Sequence, residues 1–377
     1  MLIISGGILM TRTGKRKIAT IAFHRAINYG ALLQVFALQK KIEELGGECT
    51  VLDYRSPPLE IENKKMVLSD CKYMKDYIRY IFFSKNNIAK YDELREFAKH
   101  YLNISKPYYN IKDLKKDAGN YDIFITGSDQ VWNSNITDGD PAYFLDFVTD
   151  VRKKNAYAAS FGFSDIPIEL KTFYYGKLKN FKNISTREKQ GAKIIKDLLS
   201  INTPVVLDPT LLVKKEEWYS LAEDYKSKKD YILIYAFGGS ANIMEFAKNL
   251  AKKTNCKIVS IANPYFNKLG FYYEKKAGPE RFLGLMKNAR YVITNSFHGT
   301  VFSINFNKEV FVEMLPKEQN VNSRLENALD LFDLKDRQVL NTDVFIVNKK
   351  IDFSKVNRIL EIERRRSMEF LEKIIYE

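Results

Sequence analysis

The chain is poor in the residues that build cross-linked or metal-held frameworks. It has 3 cysteines, 3 histidines and 2 tryptophans in 377 residues. Cys49, Cys71 and Cys256 show no CxxC spacing. They therefore frame neither a zinc site nor a disulfide scaffold, and they suit a reducing cytoplasm. Three histidines exclude a His-rich metal centre, so neither a metal nor a cofactor is expected. HExxH, GxxxxGK[ST] and GxGxxG do not occur, which removes the metalloprotease, P-loop and dinucleotide fingerprints. No apolar run approaches the roughly 18–20 residues that span a bilayer. The opening MLIISGGILM has no basic residue before it and no small-residue cleavage pattern, so it does not read as a signal peptide. No repeat or low-complexity segment is visible.

What is present is an ordinary globular composition with an unusual charge. Hydrophobic residues make up 45% and charged residues 28%, which excludes wholesale disorder and a collagen or coiled-coil rod. Lys and Arg number 60 against 46 Asp and Glu, a net charge of +14. Such a balance invites nucleic acid, an anionic membrane surface or an anionic small substrate. The lysines come as scattered doublets (Lys40–Lys41, Lys64–Lys65, Lys153–Lys154, Lys252–Lys253). Dispersal and the lack of a recognition motif argue for plain surface charge and against nucleic acid.

At roughly 100–200 residues per domain, the length suggests two domains. Short apolar runs alternate with amphipathic stretches. Strands are expected at 18–23, 48–54, 121–126, 155–161 and 183–186. A helix at 31–44 ends on Gly46–Gly47, and residues 60–118 read as mostly helical. The rhythm resumes with strands at 231–237, 257–261, 291–294 and 310–312. Helices are expected at 241–253, 279–288 and 299–305. Strands separated by such helices mean parallel sheets covered on both faces, hence an α/β chain of two Rossmann-like domains with a cleft between them. The charged stretch 214–229 separates the two blocks. The expected division is an N-terminal extension at 1–16, a first domain at 17–220, a second at 221–350, and a C-terminal helix at 351–377.

In open parallel sheets, ligands sit beyond the carboxyl ends of strands. Four segments there are rich in polar residues and glycine. The first runs from His24 to Gln34, where Asn28 can cap a helix and Gly30 lets backbone approach a ligand. The second is Gly127-Ser128-Asp129-Gln130-Val131-Trp132-Asn133, a set able to grip a sugar through hydroxyl partners and an indole face. The third is Ser185-Thr186-Arg187-Glu188-Lys189. The fourth is Thr294-Asn295-Ser296-Phe297-His298-Gly299-Thr300, which puts a histidine at a helix N-terminus, where free N–H groups attract anions. His24 and His100 read as structural or exposed. For Trp132 and Asp129, a core indole and a turn carboxylate compete with ligand contact.

NYGALLQVFALQKKIEELG, ITGSDQVWN, YAASFG, STREKQG, VLDPTLL and ITNSFHGTVFSINFNK occur in the order seen in the polysaccharide pyruvyl transferase family, which the chain resembles from about Lys17 to Arg337. The resemblance implies a GT-B-like fold. It also implies transfer of pyruvate from phosphoenolpyruvate, as a ketal, onto two hydroxyls of a sugar in a surface polysaccharide or its lipid-linked precursor. It matches His298 to the catalytic histidine, as acid, base or phosphate stabiliser, and Arg187 to a donor-holding position. Gly127, Ser128, Asn295, Ser296 and Gly299 would complete the anion cradle. Asn28, Tyr29, Gly30, Asp129, Gln130 and Trp132 would form the acceptor side. Other branches carry an arginine two residues before the histidine; here Ser296 stands there, and Arg324 is the candidate second guanidinium. Asp208, in the LDPT turn, reads as structural.

Two further expectations come from the residues. Lys72–Lys85 places Met74, Tyr77, Ile78, Ile81 and Phe82 on one helical face, with Lys72, Lys75, Asp76 and Arg79 on the other. That pattern suits either peripheral contact with the inner face of the plasma membrane or packing on its own domain. Glu280, at a helix start, keeps open a nucleotide-sugar glycosyltransferase of the same fold, which would use the carboxylate for ribose. A non-enzymatic nucleic-acid binder is the third class.

Overall fold

The computed structural model describes residues 14–62, 85–238, 240–261, 271–274, 277–315 and 322–377. Most of the expected N-terminal extension, Cys71 and the faces of the Lys72–Lys85 segment lie outside these residues.

Two parallel sheets organise the chain. The first contains β1 (Lys17–Ile21), β2 (Glu48–Tyr54), β3 (Ile104–Tyr108), β4 (Ile123–Thr126), β5 (Lys154–Ala159) and β6 (Asn183–Thr186). Its order is β3-β2-β1-β4-β5-β6, parallel at every pair. The second contains β7 (Tyr231–Tyr235), β8 (Lys257–Ile261), β9 (Tyr272–Glu274), β10 (Tyr291–Thr294) and β11 (Glu309–Val312). Its order is β11-β10-β7-β8-β9, again all parallel. The central strands β4, β5, β7 and β10 are buried at every residue, because helices cover both faces.

Two strands depart from the sequence reading. β3 lies inside the stretch expected to be mostly helical, and β9 falls where no strand was expected. Both sit at sheet edges. An edge strand needs only one bonded neighbour and one covered face, so ISKPY can carry Ser105, Lys106 and Pro107 without losing the sheet. The signal that marks a buried strand is missing from such segments.

Strand order reverses between β1 and β4 in the first sheet and between β7 and β10 in the second. At these two switch points the chain leaves in opposite directions and opens a crevice past the strand ends.

The helix Tyr29–Glu44 joins the two halves. Asn28 caps it by accepting from Ala31 N at 3.2 Å, and Gly46, at φ +87°, ends it in the left-handed conformation that glycine adopts freely. Nearly every residue of this helix is buried, polar ones included, because it packs on the first sheet and also against the second half. Tyr29 makes the crossing: its hydroxyl donates to the Ala277 carbonyl at 2.8 Å, and its ring stacks on Phe282 at 4.8 Å. The Lys214–Lys229 stretch is not a bare linker either. It forms the helix Lys215–Leu221, and Trp218 is fully buried with its indole N–H donating to the Thr210 carbonyl at 3.1 Å.

The C-terminal helix Phe353–Tyr376 returns across the joint. Val356, Leu360, Leu371 and Ile375 are buried, as their spacing requires. Arg364 donates to the Leu211 carbonyl at 2.6 Å and to Asn305 Oδ1 at 2.8 Å, while Ser367 Oγ accepts from Leu207 N at 2.9 Å. Among the described residues no helix is long and apolar enough to cross a membrane.

Candidate functional site

Both switch points open onto one cavity of about 410 Å³. Its walls come from the segments after β1 (Phe23, Ala26, Ile27, Asn28), β4 (Asp129, Gln130), β7 (Phe237) and β10 (Asn295, Ser296, His298), with Arg324 from the helix Ser323–Leu331. That size suits a small-molecule site. The topology, more than any single residue, puts these segments together.

His298 sits in the first turn of the helix Phe297–Asn305, which Ser296 caps by accepting from Gly299 N at 3.3 Å. The imidazole is almost fully buried against Gly30 in the helix Tyr29–Glu44. A Cβ on Gly30 would stand 2.0 Å from His298 Cγ and 2.1 Å from Nδ1, so the glycine is required by close approach. On the other edge, Nε2 is buried, has no hydrogen-bond partner, and lies 3.6 Å from Asp208 Oδ2.

Asp208 anchors a buried network beneath the cavity floor. Its Oδ1 accepts from Thr210 N at 3.0 Å and from the Thr210 hydroxyl at 2.7 Å, which caps the short helix Pro209–Leu212. Its Oδ2 accepts from Ser128 Oγ at 2.9 Å and from Arg187 Nη1 at 2.9 Å. Burial works to push this carboxyl up. The His298 ring, the Arg187 charge and the Thr210 hydroxyl outweigh it and hold the group well below the usual carboxylate range.

Arg187 is buried at the end of β6, with its guanidinium 4.3 Å over the Phe297 ring. Burial disfavours its charge, but Asp129, Asp208 and Glu188 together raise its pKa. Asp129 Oδ1 stands 3.5 Å from Nη2. Asp129 holds a positive φ of 79°, a region that aspartate tolerates, and its Oδ1 accepts from Gln130 N at 2.9 Å. Glu188 accepts from Ser160 Oγ at 2.8 Å, and burial pushes its carboxyl up. Burial and the neighbouring Arg187 push Arg324 down to about 10, so it stays cationic at neutral pH.

The decisive feature is a group of buried nitrogens that make no hydrogen bond: Arg187 Nε and Nη2, Arg324 Nε and His298 Nε2. Buried donors are nearly always partnered, and leaving one unmade costs about 1–3 kcal/mol. The Arg187 and Arg324 nitrogens, on cationic groups, mark a candidate anion site, while His298 Nε2 faces the Asp208 carboxylate.

Several residues fall elsewhere than the sequence reading expected. Trp132 is no ligand platform: it is fully buried, packs on Phe144, Phe161 and Phe181, and donates its indole N–H to the Tyr143 carbonyl at 3.2 Å. Tyr29 is spent on the domain joint. Gly127 packs against Ala22 and Leu38, where a Cβ would meet carbon atoms at 3.1 and 3.4 Å, and it does not line the cavity. The Gly299 N–H goes to the Ser296 cap, and a Cβ at Gly299 would stand 2.3 Å from Thr294 Oγ1. Ser128 donates to Asp208 and does not line the cavity. Asn295 does line it, but its amide pairs with both backbone groups of Phe237, at 2.8 and 2.9 Å. Asn28, Asp129, Gln130, Ser296, His298 and Arg324 line the cavity, whereas Arg187 does not and instead lines a separate cavity of about 190 Å³ with Asp208 and Phe297.

Sequence reasoning missed Phe237 and undervalued Asp208. Phe237 remains 42% exposed although it lines the cavity, which makes it the aromatic surface that Trp132 was expected to supply. A phenylalanine just past a strand carries no distinguishing pattern. Glu280 lies near Glu93, Glu223 and His100 and does not line the cavity. Among the described residues no group of three or more His, Cys, Asp or Glu is placed to hold a metal ion.

A family model described as polysaccharide pyruvyl transferase matches residues 28–312. No curated protein matches the chain. Among solved structures, the glycosyltransferase SnogD from Streptomyces nogalater is similar at 10% identity, covering 94% of this chain and 95% of its own, with a TM-score of 0.47. UDP-GlcNAc 2-epimerase from Neisseria meningitidis, bound to UDP-GlcNAc, is similar at 11% identity, covering 96% and 94%, with a TM-score of 0.45.

Proposed function

Because the chain belongs to the polysaccharide pyruvyl transferase family, we propose that its cavity takes phosphoenolpyruvate and transfers the pyruvyl group to a sugar hydroxyl pair as a ketal. The observation that carries this reading is the pair of buried guanidinium groups with unpartnered nitrogens, Arg187 and Arg324. Phosphoenolpyruvate presents a phosphate and a carboxylate; Arg324 on the cavity wall and Arg187, buried against the wall residue Phe297, would supply a cation for each. Arg324 takes the part of the family arginine absent at Ser296. Its depressed pKa fits, since a bound anion would relieve the repulsion from Arg187.

The chemistry needs four events. A sugar hydroxyl attacks the enol carbon that bears the phosphate ester and loses its proton. The terminal methylene carbon gains a proton. The C–O bond to phosphate breaks, with phosphate taking the electron pair. A second hydroxyl then closes the ring on the same carbon and loses its proton. His298, on the cavity wall, is the group to exchange a proton with the reactants. Asp129, across from it, is the carboxylate that orients the hydroxyls. Phe237, Asn28 and Gln130 form the acceptor wall, with Phe237 as the stacking face. A lipid-linked sugar would be the acceptor.

The test is phosphate release from phosphoenolpyruvate over a panel of lipid-linked sugars, together with calorimetric titration by phosphoenolpyruvate alone. Saturable binding that weakens about tenfold in Arg324→Ala is expected; a wild-type protein that does not bind the donor would remove the assignment. Gly30→Ala is a second, independent check. The added methyl displaces the imidazole, so turnover should drop about 100-fold although no polar group is removed. An alanine variant with wild-type turnover would mean that the position of His298 does not matter.

A further inference from the structure

His298 has two ring nitrogens, and they face different surroundings. Nε2 points inward: it is buried, without a hydrogen-bond partner, and 3.6 Å from Asp208 Oδ2. Asp208 is itself fully buried and does not line the cavity. Nδ1 lies on the opposite edge, beside Gly30, whose neighbours Asn28 and Ala31 do line the cavity. A separation of 3.6 Å is an ion-pair distance rather than a hydrogen bond, and such contacts often tighten when substrate closes a site.

We propose that Asp208 is a positioning residue that keeps neutral His298 as its Nε2–H tautomer, so that Nδ1 is the nitrogen that meets the reactants. This deepens the transferase reading and rests on it only for the identity of the reactants.

The carboxylate is built for this role. Four donors, two from Thr210 and one each from Ser128 and Arg187, fix both of its oxygens. It cannot swing away to follow the ring. An ionised carboxylate only accepts, so the ring nitrogen facing it must carry a proton. The other charged groups around the ring, Arg187, Arg324, Asp129 and Glu188, belong to the same cluster. The second observation is the orphan state of Nε2: a buried N–H beside a fixed acceptor is satisfied by a small ring shift, whereas a lone pair there would face a carboxylate and gain nothing. The arrangement follows the logic of carboxylate–histidine pairs in general: the acid selects the tautomer and the orientation, and the far nitrogen handles the proton. The pairing is invisible in sequence, since 90 residues separate Asp208 from His298.

The chain has 3 histidines, so nitrogen-15 NMR of the imidazoles can resolve them in the intact protein without any substrate. His24→Gln and His100→Gln assign the signals. In the neutral form His298 should show a protonated Nε2 and an unprotonated Nδ1. In Asp208→Asn, whose side-chain amide can donate as well as accept, the preference should weaken or invert. A wild-type His298 with its proton on Nδ1 overturns the proposal whatever the variant does, which covers the case of a variant that fails to fold. An unchanged tautomer in a folded Asp208→Asn protein also overturns it. Neither result depends on donor binding or phosphate release, so failure of the transferase reading would be seen separately.

Discussion

His298→Ala should lower phosphate release from phosphoenolpyruvate by about 1,000-fold while leaving a folded protein that still binds the donor. The fold survives because His298 is one of several groups that hold the buried Asp208 carboxylate. Its Nε2 makes no hydrogen bond, and Asp208 keeps its four donors when the ring is gone. Binding survives because the two guanidinium groups remain. What disappears is the imidazole on the cavity wall that would exchange a proton with the reactants. Two measurements separate the effects: calorimetric titration with phosphoenolpyruvate, expected within a few-fold of wild type, and phosphate release under saturating donor. A variant that turns over normally would disprove the catalytic assignment. One that neither binds nor turns over would instead make His298 a donor ligand.

The sequence foretold the site in proportion to how far each residue's role was local. Helix caps are local: Asn28 sits where its spacing said it would. The buried strands were legible because burial on both faces demands continuous apolar runs. Edge strands β3 and β9 were not, because nothing forces an edge to be apolar. The larger misreadings concern residues whose role is settled by distant partners. Trp132 and Tyr29 sit within motifs full of cavity residues, yet neighbouring positions on a turn point in opposite directions. Asp129 and Gln130 face the cavity while Trp132, two positions on, enters a cluster of phenylalanines. Asp208 looked like a turn former, and it is one through Oδ1; only tertiary structure shows that Oδ2 serves Arg187 and Ser128. The net charge of +14 shows the same limit. Its sum pointed to anionic partners in general, whereas only the family resemblance singled out Arg187 and Arg324, whose proximity the tertiary structure shows.

Arg187→Ala should cost the protein both its donor and much of its stability. The guanidinium pairs with Asp208 at 2.9 Å, stands 3.5 Å from Asp129, and is wholly buried. Removing one member of a buried ion pair leaves an uncompensated charge and typically costs about 3–5 kcal/mol. Against a total stability of roughly 5–15 kcal/mol, urea unfolding should register this plainly. The loss has a definite pH dependence. The Asp208 carboxyl is held below the usual range in the folded chain. Its stabilising contribution is therefore present above the ordinary carboxylate pKa of about 4 and is lost as pH falls from there toward the depressed native value. Without Arg187 the native value rises toward the ordinary one and that contribution shrinks. The gap between wild type and variant should thus be widest near neutral pH and should narrow below about pH 4. Arg187→Lys distinguishes charge from geometry. The ammonium retains the charge and recovers part of the stability, but it cannot fork between Asp208 and a ligand while lying flat on Phe297. Donor affinity should fall about 100-fold in the alanine variant and remain weak in the lysine variant. Unchanged affinity in Arg187→Ala would remove Arg187 from the donor site and leave it a purely structural cation beneath the cavity.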